Sequence, residues 1–178
     1  PLLPLQILFL NLVTYVFPAL ALGMGEGDAT YIKRSPRQKE DSVISARKWK
    51  IIFFYGGLIT VSVLSAFFIT LDGDNANAKL AVTVSFLTLG LAQVFHVFNM
   101  RLTNTHFLKN DITKNPHVWA AIILCVFLLL ISTQLDFSRK LLGLEILNTD
   151  QWIIIWLFSL LPLIIGNIVN LFGFGIKK

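Results

Sequence analysis

The sequence predicts an all-α integral membrane protein, a single domain of 178 residues folded as a bundle of five transmembrane helices. Hydrophobic residues make up 55% of the chain and charged residues only 14%, and the mean hydropathy is +0.71. The apolar residues gather in five runs of about 20, the length that crosses about 30 Å of hydrocarbon. This composition excludes a soluble globular enzyme.

The five predicted spans cover residues 2–24, 51–71, 80–100, 118–135 and 152–174. Basic residues are unevenly divided among the segments between them. The loops at 25–50 and 101–117 and the C-terminal tail together hold twelve, whereas the other two loops hold three. The positive-inside rule therefore predicts that both basic loops and the C-terminus are cytoplasmic and that Pro1 lies on the outer side. We expect the membrane to be the plasma (inner) membrane.

The start of the chain carries a further expectation. Residue 1 is Pro1 rather than Met, and the first apolar run lacks the basic region and cleavage site of a signal peptide. An outward first span normally depends on a preceding helix, so we expect the chain to be part of something longer. The lipid bilayer is an expected partner and nucleic acid is not, since no stacking aromatics alternate with the basic residues.

Polar residues interrupt the first span, whose centre reads "NLVTYVFPALALG" at 11–23. Asn11 and Thr14 are three residues apart and so share a helix face, and Pro18 removes a backbone donor. Freed carbonyls, an amide and a hydroxyl would form the kind of oxygen-rich site that cations prefer. Alternatively, Asn11 and Thr14 bond between helices while Pro18 bends the span.

The third span carries Gln93 and His96 at the same spacing, with Asn99 one turn further. This pattern predicts a buried network against the first span. His96 is either a group that changes charge near neutral pH or a packing histidine. In the second span, Gly56 and Gly57 predict close approach of another helix.

Catalytic and metal-binding motifs are missing from the sequence. It contains no Gly-rich phosphate loop, no Cys/His metal spacing and no phosphorylation motif. The acidic residues lie in loops or at span ends, so the predicted spans hold no carboxylate at mid-membrane depth. The single cysteine, Cys125, is interpreted as a packing residue.

The stretch "PLLPLQILFLNLVTYVFPALALGMGEGD", followed by "KRSPR" at 33–37, resembles the sixth membrane helix and next loop of P-type cation-transporting ATPases of the calcium-pump type. The family pattern is approximately Q-x-L-x-x-N-L-x-T-D-x-x-P-A-x-A-L-G, then R-P-P-R. The segment "FLTLGLAQVFHVFNMR" is similar to the eighth helix of bacterial members. The resemblance covers nearly the whole chain. It implies helices six to ten, the C-terminal membrane domain, without the ATP-binding and phosphorylated domains and the first five helices.

The resemblance also implies roles for individual residues. Asn11 and Thr14 match positions that contribute oxygens to the transported cation, and Gln93 matches a position that is Glu or Gln in different pumps. Pro18 matches the family's helix break. Tyr15 stands where the family has an Asp that coordinates the ion, and a phenol supplies neither charge nor a strong ligand. The metal ion is therefore not predicted.

Two functions are consistent with these residues. The first is the membrane half of an ATP-driven cation transporter, whose ATP and Mg²⁺ bind to domains outside this chain. The second is a non-transporting module, a degenerate or split pump piece that packs against another membrane protein. We expect no cofactor in this chain, which has no catalytic or nucleotide-binding motif of its own.

Overall fold

The computed structural model describes residues 2–24, 46–72, 77–100 and 115–171. Every regular element in these ranges is helical, and five helices are long and apolar enough to cross a membrane. The prediction of an all-α bundle of five membrane helices is therefore confirmed. The predicted cytoplasmic loops at 25–50 and 101–117 lie largely outside the described residues.

The first span is assembled from three pieces, and the other spans are continuous helices. A short helix at Asp136–Leu142, labelled α6, lies between the fourth and fifth spans, where the sequence predicts only a loop. The first span consists of α1 (Pro4–Asn11), a π-helical turn (Leu12–Val16) and α2 (Phe17–Gly23); the second is α3 (Ala46–Leu71); the third is α4 (Ala78–His96) with a 3₁₀ turn (Val97–Met100); the fourth is α5 (Pro116–Gln134); α6 is Asp136–Leu142; and the fifth is α7 (Thr149–Leu171).

Asparagine side chains start two of the spans. The Asn77 side chain accepts a bond from the backbone N–H of Lys79, 3.0 Å away, and Asn115 accepts one from His117 at 2.9 Å. These caps satisfy donors that the first helical turn leaves unpaired. Asn115 also donates through Nδ2 to the carbonyl of Ala21 at 3.2 Å, which joins the end of the first span to the fourth.

The third span forms the centre of the bundle. In its apolar window 67% of residues are buried, compared with 17% in the second span and 22% in the fifth. It packs against the second and fifth spans on one side and against the first and fourth on the other. The other spans therefore present much of their apolar surface outward, as membrane helices do.

Two glycines permit the closest helix contacts. A Cβ on Gly90 would lie 2.8 Å from Leu10 Cδ2 and from Leu129 Cδ2, and one on Gly166 would lie 2.6 Å from Tyr55 Cε1. The sequence prediction of close approach at Gly56 and Gly57 is wrong, because an added Cβ there meets no described atom within 4 Å. A glycine pair in sequence does not show which side of a helix faces a neighbour.

Candidate functional site

The first span changes helix type next to its proline. Residues Leu12–Val16 form the π-helical turn, which ends two residues before the buried Pro18. Because Pro18 has no N–H, it gives no bond to Thr14, its α-helical acceptor, or to Val13, its π-helical acceptor. The turn therefore leaves backbone carbonyls that need partners from elsewhere.

One of these carbonyls is satisfied by the fourth span. Cys125 is fully buried, and its Sγ lies 3.0 Å from the carbonyl oxygen of Val13, to which the thiol donates. A thiol is a weak donor, but here it fixes the direction of a carbonyl within the irregular turn. The interpretation of Cys125 as packing alone misses this bond.

The side chain of Thr14 turns inward, toward the third span. Thr14 is 5% exposed, and its Oγ1 lies 2.8 Å from the carbonyl oxygen of Leu10 and 2.9 Å from Oε1 of Gln93. The hydroxyl has one hydrogen, so it donates to one acceptor at a time. A half-turn of the Gln93 amide would bring Nε2 to the hydroxyl and allow both bonds. In either state a hydroxyl and an amide from two spans meet beside the π-helical turn.

Asn11 and Tyr15 lie on the opposite, open side of the first span. Asn11 is exposed and Tyr15 is 59% exposed, and neither side chain bonds to a described residue. Asn11 therefore does not lie with Thr14, although their spacing predicts a shared face. A π-helical turn takes more residues per turn than an α-helix, so it changes the faces on which successive residues lie.

Further along the third span, polar residues face other neighbours. The ring centroids of His96 and Tyr55 are 4.6 Å apart, and Asn99 Nδ2 donates to the carbonyl of Pro162 at 3.2 Å. Gln93 therefore meets the first span as predicted, through Thr14, but the prediction that His96 joins it there is wrong. Three residues rotate a helix by about 300°, which leaves His96 about 60° away from Gln93, enough to bring it against the second span.

The fifth span also contains a proline, and a side chain of a neighbouring span donates to the carbonyl that this proline leaves without a backbone donor. Pro162 lies inside α7 and gives no N–H to Phe158. The Ser62 hydroxyl of the second span donates to the Phe158 carbonyl. In both spans the proline is the only sequence signal for the bond, because a proline has no N–H to donate to a carbonyl one turn earlier. The residue that supplies the donor depends on tertiary packing and cannot be identified from spacing.

Similarity to known proteins agrees with this architecture. Residues 1–172 match the family model described as "Cation transporting ATPase, C-terminus". The chain is 33% identical over 174 residues to "Calcium-transporting ATPase" of Bacillus subtilis (strain 168), covering 96% of this chain and 19% of that protein. It is 29% identical over 155 residues to "Calcium-transporting ATPase 1" of Lactococcus lactis subsp. lactis (strain IL1403), covering 86% and 17%.

The chain therefore spans about a fifth of the length of these curated relatives. The family match covers nearly every residue, from the π-helical turn to the fifth span. The family predicted from the motif of the first span is confirmed. The chain belongs to the family of C-terminal membrane domains of cation-transporting P-type ATPases.

Proposed function

We propose that this chain contributes part of the cation path of an ATP-driven transporter. The observation that carries the proposal is the meeting of Thr14 Oγ1 and Gln93 Oε1, 2.9 Å apart, beside an interrupted membrane helix. Irregular backbone at membrane depth is tolerated where it lines a cavity or a path for ions. Asn11 would join this path from the open side of the first span.

The chemistry of these groups suits a hard cation. A hydroxyl, side-chain amide oxygens and the carbonyls around Pro18 are neutral oxygen ligands, the class that hard cations such as Ca²⁺ take. When a cation arrives, the Thr14 hydroxyl would donate its hydrogen bond to the carbonyl oxygen of Leu10, which lies 2.8 Å from Oγ1. The oxygen lone pairs of Thr14 and Gln93 would then be free to face the ion.

Full charge must come from outside these residues. Tyr15 occupies the position at which a carboxylate is expected by resemblance, and its phenol brings no charge to the path. Relatives are named calcium-transporting ATPases, and we leave the metal ion of this chain open. The proposed partners are N-terminal helices that supply carboxylates and cytoplasmic domains that bind ATP and Mg²⁺, whether on the same chain or another.

The charge pattern supports an orientation for the domain. Twelve of fifteen basic residues lie in the loops at 25–50 and 101–117 and in the C-terminal tail. We place these segments in the cytoplasm and the residue Pro1 outside, in the plasma (inner) membrane. Phosphorylation of an Asp in a cytoplasmic domain would then move the helices and expose the path alternately to the two sides.

The test is a Thr14→Ala substitution in the whole transporter, with Thr60→Ala as a matched control. Thr60 is exposed on the second span, and its hydroxyl bonds to the Gly56 carbonyl one turn earlier, as that of Thr14 does to Leu10. We expect Thr14→Ala to raise the cation concentration needed for half-maximal phosphorylation about tenfold or more, since it removes a ligand and its contact with Gln93. Equal cation dependence in both variants would contradict the proposal.

Tyr15 favours a second candidate, a non-transporting module that packs against another membrane protein. The test is Tyr15→Asp in the reconstituted assembly, measured by direct cation binding. If the site still forms a cation path, the new carboxylate should strengthen binding. No gain from the carboxylate, together with an unchanged Thr14→Ala variant, would favour the module.

A further inference from the structure

The short helix α6 is fixed to the bundle at the membrane face where the fourth span ends. Gln6 is fully buried and its Nε2 donates to the carbonyl of Leu142 at 2.9 Å, while the N–H of Glu145 donates to Thr83 Oγ1 at 3.0 Å. The first and third spans therefore both hold the segment in place. Because these bonds fix the orientation of α6 relative to the bundle, its exposed side chains form one defined side of the helix.

One side of this fixed segment is apolar and open. Phe137 is 76% exposed and Leu141 is 56% exposed, and a spacing of four places them on one helix face. Ile146, just after the helix, is 69% exposed. Leu142 is instead buried against the bundle. The helix thus has one apolar side for the protein core and a second that the described residues leave uncovered.

Cationic side chains border the open apolar side. Lys79, Arg139 and Lys140 line a cleft of about 340 Å³. Arg139 is paired with Asp136. Of the other charged residues that line the cleft, Lys79 and Lys140 are cationic and Glu145 is anionic, so this remainder favours a bound anion. Apolar groups beside lysines match the boundary of a bilayer, where acyl chains meet phosphate headgroups.

We propose that α6 is an interfacial helix that inserts Phe137 and Leu141 among acyl chains and holds a phospholipid phosphate in the cleft of Lys79 and Lys140. Two observations select lipid as the occupant. The fourth span ends at Gln134 and α6 begins at Asp136, so the exposed Phe137 and Leu141 follow directly after a membrane span. The cleft adjoining that side also carries the charge that complements a phosphate. This proposal is independent of which side of the membrane is cytoplasmic and of cation transport.

The first test measures the depth of position 137 in the whole protein, reconstituted in vesicles of phosphatidylcholine and phosphatidylglycerol. A nitroxide is attached to Phe137→Cys, and its collisions with oxygen, which partitions into lipid, are compared with those of a water-soluble nickel complex. Ile123→Cys, 65% exposed in the fourth span, is the lipid reference, and Asn148→Cys, exposed after α6, is the reference nearer water. Leu141→Cys provides a second reporter on α6.

We expect positions 137 and 141 to favour oxygen over the nickel complex more strongly than position 148 does. A reading at 137 and 141 equal to that at position 148 would overturn the proposal. A nitroxide at both positions that neither reagent reaches would also overturn it, because α6 would then be covered by protein rather than lipid.

The second test addresses the phosphate. The Lys79→Gln/Lys140→Gln variant is compared with Lys50→Gln, a lysine exposed at the opposite membrane face, during titration of detergent-purified protein with phosphatidylglycerol and with inorganic phosphate. Each lysine near an anionic headgroup contributes about fivefold in affinity, so the double variant should bind the lipid about 25-fold more weakly. Unchanged lipid affinity, an equal loss in Lys50→Gln, or phosphate binding as tight as lipid binding would each overturn the headgroup assignment.

Discussion

The first and fifth spans both contain an interior proline, and only the first changes helix type. α7 continues from Thr149 to Leu171 through Pro162. The Phe158 carbonyl, which gets no hydrogen bond from Pro162, accepts one from the hydroxyl of Ser62. In the first span, α-helix gives way to a π-helical turn just before Pro18. There the donor to a freed carbonyl is the weaker thiol of Cys125.

Coverage by neighbouring helices accounts for the difference. Around Pro162, the second and third spans contact the helix through Tyr55, Asn99 and Ser62. Around Pro18, one side meets the third and fourth spans, while Asn11 and Tyr15 face outward. Both prolines are buried, but Pro162 lies where two neighbouring spans contact the helix, whereas Pro18 lies next to a turn whose outer side is open and polar.

The largest expected effect is a difference in apparent cation affinity between variants of the two prolines. Pro18→Ala restores an N–H, favours a regular α-helix and rotates Thr14 relative to Gln93. In the whole transporter we expect the apparent cation affinity to fall about tenfold or more, equivalent to about 1.4 kcal/mol. Pro162→Ala, the matched control, should change it less than about threefold. Cation titrations of phosphoenzyme formation measure both, and equal effects would remove the distinction between the two helices.

The next largest effect is expected at Gly166, where the second, third and fifth spans are closely packed. Gly166→Ala would place a Cβ 2.6 Å from Tyr55 Cε1 and 2.7 Å from Asn99 Nδ2, and overpacking of this kind costs about 1–3 kcal/mol. Gly56→Ala has open space at its Cβ and should be neutral or gain up to about 1 kcal/mol from helix propensity. Unfolding in mixed detergent micelles gives both free energies. Similar stabilities for the two variants would show that the contact at Gly166 is not close-packed.

A smaller loss in the free energy of unfolding is expected when the hydrogen bond from the second span to the fifth is removed. Ser62→Ala leaves the Phe158 carbonyl without its donor in an apolar surrounding, at a cost of about 1–2 kcal/mol in the free energy of unfolding. Ser65→Ala, at a half-buried serine with no bond to a described residue, should stay within about 0.5 kcal/mol. The same unfolding titration compares them, and a Ser62 variant as stable as the Ser65 variant would argue against this hydrogen bond.

Cys125→Ala should lower the free energy of unfolding by about 1 kcal/mol, less than Ser62→Ala does, because a thiol is a weak donor. Its effect on cation affinity should exceed that of Ser62→Ala, since the Val13 carbonyl lies in the proposed path. Cys125→Ser keeps a donor and should restore most of the affinity. If Ser62→Ala alters cation affinity more than Cys125→Ala does, cation affinity depends more on the proline of the fifth span than on that of the first, contrary to this account.

Much of the fold was predictable because bilayer thickness fixes the length of an apolar helix. The second helix begins at Ala46 rather than at the predicted residue 51, since hydropathy marks the hydrocarbon core while a helix can extend into the polar interface. The loop prediction for 136–142 failed because seven residues of mixed polarity carry little periodic signal. Gln6 and Leu142 are 136 residues apart, and no local pattern predicts a contact at that separation.

The candidate site was predictable in its residue types but not in its geometry. Pro18 and the polar residues before it indicate an interruption, and similarity to the eighth helix singles out Gln93. The side to which each residue points depends on the π-helical turn, which places Thr14 inward and Asn11 outward. That turn contacts the third and fourth spans, and the sequence of the first span does not contain those neighbours.

The most direct test of the central claim is a double-mutant cycle of Thr14→Ala and Gln93→Ala, read as apparent cation affinity in the whole transporter. If the two side chains hold one ion together, each substitution should weaken affinity, and the double variant should be affected at least about threefold less than the product of the single effects. Identical cation affinity in all four proteins, or two losses that multiply in full, would contradict a shared site at the junction of the first and third spans.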